Sequence, residues 1–382
     1  MIYLLILLAF VISVVFSMLI IPRILIVALT KKLFDMPNER KIHTGAIPRL
    51  GGISFAPTIL FSLAFVSAIS YMGYLYGFKI PKDITPHITP DFYMLTCGLI
   101  VLYLAGIKDD LIGLRYYTKF IVQILAASLL PISGLWINNF YGLFGIHELV
   151  SWIGMPLTIF AIVFITNAIN LIDGIDGLAS GLSGAALLIL GSLFLHNQMW
   201  TYAMLSFSTL GVLIPFFYYN VFGQAEHGRK IFMGDTGSLT LGYILAFLCI
   251  RYAVYDPDIA PYSTSAILIS FSTLIVPMFD VIRVILIRFR KRKSLFSPDK
   301  NHIHHKFLEI GCSPHKALLY ILGISWAFSS LNILLAPYAN INILFIGDIV
   351  AWTVLNVYLD MIQNKKKSLK EKNHQKKESI KL

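Results

Sequence analysis

Apolar runs of about twenty residues recur along the whole chain, separated by short polar stretches, and each run is long enough to cross a bilayer core of roughly 30 Å. The pattern predicts eleven transmembrane helices, at residues 1–29, 51–73, 92–107, 119–136, 152–167, 178–195, 201–219, 238–253, 264–287, 318–337 and 341–361. The first run has no basic residue ahead of it and Lys31 and Lys32 behind it, flanks opposite to those of a cleaved secretory signal. It therefore reads as an uncleaved span with the amino terminus outside. An odd number of spans then puts the carboxyl terminus in the cytoplasm. Charge agrees with this orientation, because the basic clusters fall in segments placed inside while Lys79 and Lys82 are the loop cations placed outside.

Composition narrows the class. The chain is 382 residues, 57% hydrophobic and 13% charged, whereas a soluble domain is typically about 25% charged. The expectation is an all-α polytopic membrane protein with one catalytic domain over residues 1–363 and a basic, disordered cytoplasmic tail over 364–382. The net charge of +11 suits topology and anionic ligands rather than nucleic acid, since it is not gathered into a soluble basic domain. Three cysteines imply neither a disulfide framework nor a metal-ligand spacing.

The chemistry concentrates in five inside clusters. The central one, residues 167–181, reads Asn-Ala-Ile-Asn-Leu-Ile-Asp-Gly-Ile-Asp-Gly-Leu-Ala-Ser-Gly and sits where one span stops and the next begins. Asn170, Asp173 and Asp176 recur every three residues, so a helical continuation would line them up on one side. Before it come residues 31–52, with Arg40, Lys41, His43 and Pro48-Arg49-Leu50-Gly51-Gly52, and then Asp109-Asp110 with Arg115 and Lys119. Adjacent carboxylates at a membrane boundary resist desolvation unless a cation lies beside them. After it come Asn220 and Gly234-Asp235-Thr236-Gly237-Ser238, where Asp235 could also be a simple helix N-cap. Last is a basic run ending in His302-Ile303-His304-His305. Its cations and imidazoles suit a diphosphate better than zinc, which would want Cys or carboxylate company.

Carboxylates favour Mg²⁺, with Mn²⁺ as substitute, basic loops favour phosphates, and the many spans favour a lipid substrate. The inference is a transferase joining a nucleotide-linked group to a membrane phosphate. A secondary transporter of an anionic metabolite is the alternative, although transporters place ionisable groups near mid-membrane. Asp280 and Arg283, three apart, are expected to pair. Asp348 lies within a span with no partner evident.

These five motifs, in this order, resemble the polyprenyl-phosphate N-acetylhexosamine-1-phosphate transferases over nearly the whole chain. The His-Ile-His-His form is similar to the N-acetylglucosamine branch that starts O-antigen, enterobacterial common antigen and teichoic acid synthesis. The resemblance implies transfer of N-acetylhexosamine-1-phosphate from a UDP-sugar to undecaprenyl phosphate at the cytoplasmic face of a bacterial inner membrane. It implies Asp235 and Asn170 at a Mg²⁺, and Asp109, Asp110 and Lys119 near the metal and acceptor phosphate. Arg40, Lys41, His43, Asn167, Asn170, Asp173, Asp176 and Asn220 are implied around the substrates, and His302, His304 and His305 at the diphosphate or sugar end. A homodimer is compatible with the glycine-rich faces.

Overall fold

The computed structural model describes residues 1–34, 47–76, 89–256, 265–292 and 301–379. Its helices are α1 (Ile2–Thr30), α2 (Phe55–Leu75), α3 (Pro90–Ile112), α4 (Tyr116–Ile132), α5 (Ser151–Ile172), α6 (Leu178–His196), α7 (Trp200–Phe217), α8 (Gly234–Ala253), α9 (Ala266–Ser272), α10 (Ile275–Arg290), α11 (Ile303–Glu309), α12 (Pro314–Leu335) and α13 (Ile341–Ser379). Among the described residues nine helices are long and apolar enough to cross a membrane, or ten if α9 and α10 form one span. All eleven expected segments are therefore helical, but two are not simple spans. The segment expected at 119–136 is a 17-residue helix, α4, and the one expected at 264–287 bends by 81° between α9 and α10.

α8 is the axis of the bundle. Every residue from Thr236 to Ile250 is buried, and α3, α5 and α6 pack around it. Its first turns use Thr236, Gly237, Ser238 and Thr240, small residues that let neighbouring backbones come close. The peripheral helices invert the soluble pattern: α1 turns Leu4, Leu7, Val11, Val15 and Leu19 outward, as a lipid-facing surface requires.

Two details depart from the sequence expectation. Residues 364–379 continue α13 rather than forming an irregular tail, because Lys, Glu and Gln are good helix formers and no Pro or Gly interrupts them. A β-hairpin, β1 (Asn139–Leu143) with β2 (Ile146–Glu148), lies between α4 and α5; Tyr141, Gly142, Phe144 and Gly145 all take positive φ there. Arg251, near the end of α8, lies 3.8 Å from Asp91 and over the Tyr202 ring. A membrane carboxylate and cation that find each other avoid the cost of separate burial. Asp348 has the same kind of explanation: Nδ2 of Asn332 donates to both its oxygens, at 3.1 and 3.0 Å, and ties α12 to α13.

Candidate active site

The glycine pairs of two motifs build the floor. Gly51 N–H donates to Phe232 O at 3.0 Å, Gly52 N–H to Met233 O at 2.8 Å, and Phe232 N–H to Pro48 O at 2.8 Å. This clip seats the start of α8 against residues 48–52. Gly234 there has φ +72, and a Cβ on it would meet Arg49 O at 2.1 Å and the Asp110 carboxylate at 2.7 Å. Glycine is the residue that fits.

Asp110 caps α8 from a different helix. Its Oδ1 accepts from Asp235 N–H at 2.7 Å and its Oδ2 from Thr236 N–H at 2.9 Å and from the Thr236 hydroxyl. Those amides are orphan donors of a helix N-terminus, which favours a negative charge. Asp235 is thus not the N-cap; it lies in the first turn, and its carboxylate is available for other work.

That carboxylate meets Asn170 and Lys119. Asn170 Nδ2 donates to Asp235 Oδ1 at 2.6 Å and to Ser238 Oγ at 2.7 Å, while Lys119 Nζ bridges Asp235 Oδ1 and Asp109 Oδ2, the latter at 3.0 Å. The ammonium is the cation that lets two carboxylates coexist here. A hollow of about 360 Å³ opens beside them, lined by Asp109, Asp110, Asp235, Arg49 and Lys32.

The 167–181 segment joins this hollow to the histidines, though not by the expected helical face. α5 ends at Ile172, and Asp173 and Asp176 lie beyond it because Gly174 and Gly177, the latter at φ +80, break the helix. Asp176 Oδ2 pairs with Lys230 Nζ at 2.6 Å. Asp173 keeps contact with solvent, yet the surrounding protein and then Asp176 and Asp235 push its carboxyl up to about 7. Gly174 lies against the His304 ring, whose Nε2 would be 2.2 Å from an added Cβ. Asn220, expected around a substrate, is a buried bracket here: it accepts from Gly177 N–H at 2.7 Å and donates to Ile231 O at 2.8 Å.

The histidines stand at the polar end of a second, larger cavity. His302 Nδ1 lies 2.8 Å from Asp280 Oδ2, and Arg283 donates to Asp280 Oδ1 at 2.8 Å, the expected pair. His304 is 2% exposed, with its Nδ1 lacking a partner among the described residues. Burial first, then His305 and His302, push its imidazole down to about 3, so it is neutral. With His305 and Arg288 these rings close a groove of about 1030 Å³ between α4, α5 and α10. Its walls are apolar, including Phe120, Ile159, Phe160, Ile282 and Ile285, and Asn167 and Gly174 stand on its margin. Asn167 Nδ2 donates to Gln123 Oε1 at 2.7 Å.

A family model for glycosyl transferase family 4 matches residues 92–253. The chain is 32% identical over 322 residues, 84% of its length and 82% of the relative's, to a probable undecaprenyl-phosphate N-acetylglucosaminyl 1-phosphate transferase of Bacillus subtilis. The chain belongs to glycosyl transferase family 4. It is a multi-pass membrane phosphotransferase of the polyprenyl-phosphate N-acetylhexosamine-1-phosphate type. Relatives named undecaprenyl-phosphate alpha-N-acetylglucosaminyl 1-phosphate transferase, from Yersinia pestis and Escherichia coli K12, are 30% and 28% identical over 77% and 86% of this chain and 74% and 81% of theirs. Within this family member the structure brings together Asp109, Asp110, Lys119, Asn170 and Asp235 on one side and His302, His304 and His305 on the other. Arg40, Lys41 and His43 lie outside the described residues. Arg288, which the motif reading passed over as one of a basic run, is 7% exposed and lines the groove. Its spacing from Val281 and Val284, both buried, marks it as an inward position of α10.

Proposed function

We propose that the protein transfers N-acetylglucosamine-1-phosphate from UDP-N-acetylglucosamine to undecaprenyl phosphate, releasing UMP, at the cytoplasmic face of a bacterial inner membrane. The observation that supports this reading is an apolar groove ending at Arg288 and the histidines, joined through residues 170–174 to a hollow of carboxylates and cations. A polyprenyl tail suits the groove, and phosphates suit its polar end. The names of the relatives support the sugar and the lipid.

The lipid phosphate, with a second pKa of about 6, is mostly a dianion at neutral pH and needs no base. Its oxygen forms the new bond to the β-phosphorus of the donor, the bond from that phosphorus to the bridging oxygen breaks, and UMP leaves carrying the bridging oxygen and its electron pair. Positioning and charge neutralisation dominate such transfers. Lys119 supplies fixed positive charge between Asp109 and Asp235, and Asn170 orients the Asp235 carboxylate.

Mg²⁺ belongs to the same proposal. No group of three His, Cys, Asp or Glu side chains poised for a metal occurs among the described residues. Mg²⁺ nevertheless binds through one or two carboxylates and completes its shell with water and substrate phosphates, and Asp235 Oδ2 takes no donor among the described residues. Asp235 would hold it, with Asn170 beside it. Bound there, it would neutralise charge developing on the phosphates.

The test is a panel of UDP-sugars offered to purified protein. UMP release is expected from UDP-N-acetylglucosamine when undecaprenyl phosphate and Mg²⁺ are both present. Release without the lipid, or a preference for another sugar, would overturn the assignment.

A further inference from the structure

We infer that the protein carries a second phosphate-binding pocket, on the face of α10 turned away from the groove, which takes the phosphate of an anionic lipid headgroup or a free phosphate ion. The pocket has a volume of about 410 Å³ and lies between α10, α11 and α13. Arg283, Arg290, Lys291, Lys306 and Lys367 line it, against Glu309 and Asp360 as the carboxylates.

The pairing leaves charge over. Lys306 Nζ lies 2.7 Å from Asp360 Oδ1 and Lys367 Nζ 3.6 Å from Glu309 Oε2, while Arg283 is held from behind by Asp280. The side chains of Arg290 and Lys291 make no ion pair or hydrogen bond among the described residues. Arg283 Nε is buried with no acceptor among them. Two unbalanced cations in one concavity, with a buried guanidinium donor that lacks an acceptor on a residue of its wall, call for an anion with several acceptor oxygens.

The surroundings suit a lipid headgroup. Leu286 and Phe289 on α10 and Tyr358 and Met361 on α13 are exposed apolar side chains, so lipid-facing surface runs up to residues that line the pocket. Basic pockets between membrane helices are known to hold anionic headgroups. Arg283 also links the pocket to the groove, because Asp280 holds Arg283 with one oxygen and His302 with the other.

Binding is measured without turnover, so this test stands apart from the proposed reaction. Purified protein in phosphatidylcholine nanodiscs is titrated with phosphatidylglycerol, and separately with inorganic phosphate against chloride at equal ionic strength, reading bound anion by native mass spectrometry and thermal shift. The comparison variant is Arg290→Gln with Lys291→Gln, both exposed positions. A cation near an anionic surface is worth about fivefold in affinity, so the double variant should bind roughly thirty-fold more weakly. A loss confined to the phosphatidylglycerol arm identifies a headgroup, and a loss in the phosphate arm identifies a free ion. Equal affinity of variant and wild type in both arms, or chloride acting as well as phosphate, overturns the pocket.

Discussion

Replacing Asp110 by Asn should loosen the first turn of α8 and, through it, the position of Asp235. The Asp110 carboxylate accepts two backbone N–H groups and the Thr236 hydroxyl. An asparagine keeps one acceptor oxygen but turns an NH₂ toward donors, so at least one amide loses its partner. Loss of a helix cap costs about 0.5–2 kcal/mol, and a hydrogen bond to a charged group is worth about 1.5–3 kcal/mol. The two figures describe the same bonds and agree at about 1.5–2 kcal/mol, or roughly 12- to 30-fold in the local opening equilibrium. Hydrogen–deuterium exchange of peptides spanning residues 233–240 should accelerate by that factor, with turnover falling alongside. Thr236→Val, which removes the hydroxyl alone, should show a smaller change in the same direction. If Asp110→Asn abolished turnover while exchange over 233–240 stayed at the wild-type rate, the carboxylate would be acting on the reactants and the capping argument would fail.

Asp235→Asn should abolish turnover at ordinary Mg²⁺ while leaving exchange over 233–240 near wild type, since it spares the cap; near-normal UMP release would refute the proposed role of Asp235 as a metal ligand. Gly174→Ala should cut turnover at least tenfold, because the added methyl meets the His304 ring, and a trimming substitution, His304→Ala, made in the same chain should relieve the clash as seen by recovered thermal stability. Because the His304 imidazole is held at about 3 in the fold against about 6.5 when unfolded, the unfolded chain takes up the proton first as pH falls. Stability should therefore be full above about 6.5 and decline from there toward 3. His304→Gln should flatten that part of the acid-unfolding curve, and an unchanged curve would show that another group governs it.

How much of this was legible in the sequence depended on the range of the interaction. Span length and hydropathy are local, so all eleven helical segments could be read. What broke the pattern at α9 and α10 is tertiary, and no single residue announces it. Asp109, Asp110, Lys119, Asn170 and Asp235 stood out as polar groups at span ends, where burial needs a reason. Their division of labour did not, because a cap given by α3 to α8 across 125 residues leaves no local signature. The place of Asn220 around a substrate came only through the resemblance, and its bracing of Gly177 and Ile231 had no local signal, since a buried amide that accepts and donates at once does so across the chain. Asp348 found its partner 16 residues away, across the turn between α12 and α13.

The break between α5 and α6 follows from the bilayer. A helix continuing from Ser151 to His196 would extend about 1.5 Å per residue and run far beyond the roughly 30 Å core, so it must turn back, and a turn at a membrane boundary frees backbone donors that need partners. Gly177 N–H takes Asn220 Oδ1 and Gly174 N–H takes Ile172 O, so the break is satisfied from within. Because those bonds use backbone and a bracket from α7's continuation, the side chains of Asn170, Asp173 and Asp176 are left over for other contacts. Asn170 reaches Asp235 and Asp176 reaches Lys230, while Gly174, having no side chain, admits the His304 ring. Four residues of chain thus separate the contact with the carboxylate hollow from the contact with the groove. A transferase whose two substrates come from water and from lipid needs its phosphates brought together at such a short separation, and a helix end is the place where a membrane protein can expose polar backbone and carboxylates without burying them in hydrocarbon.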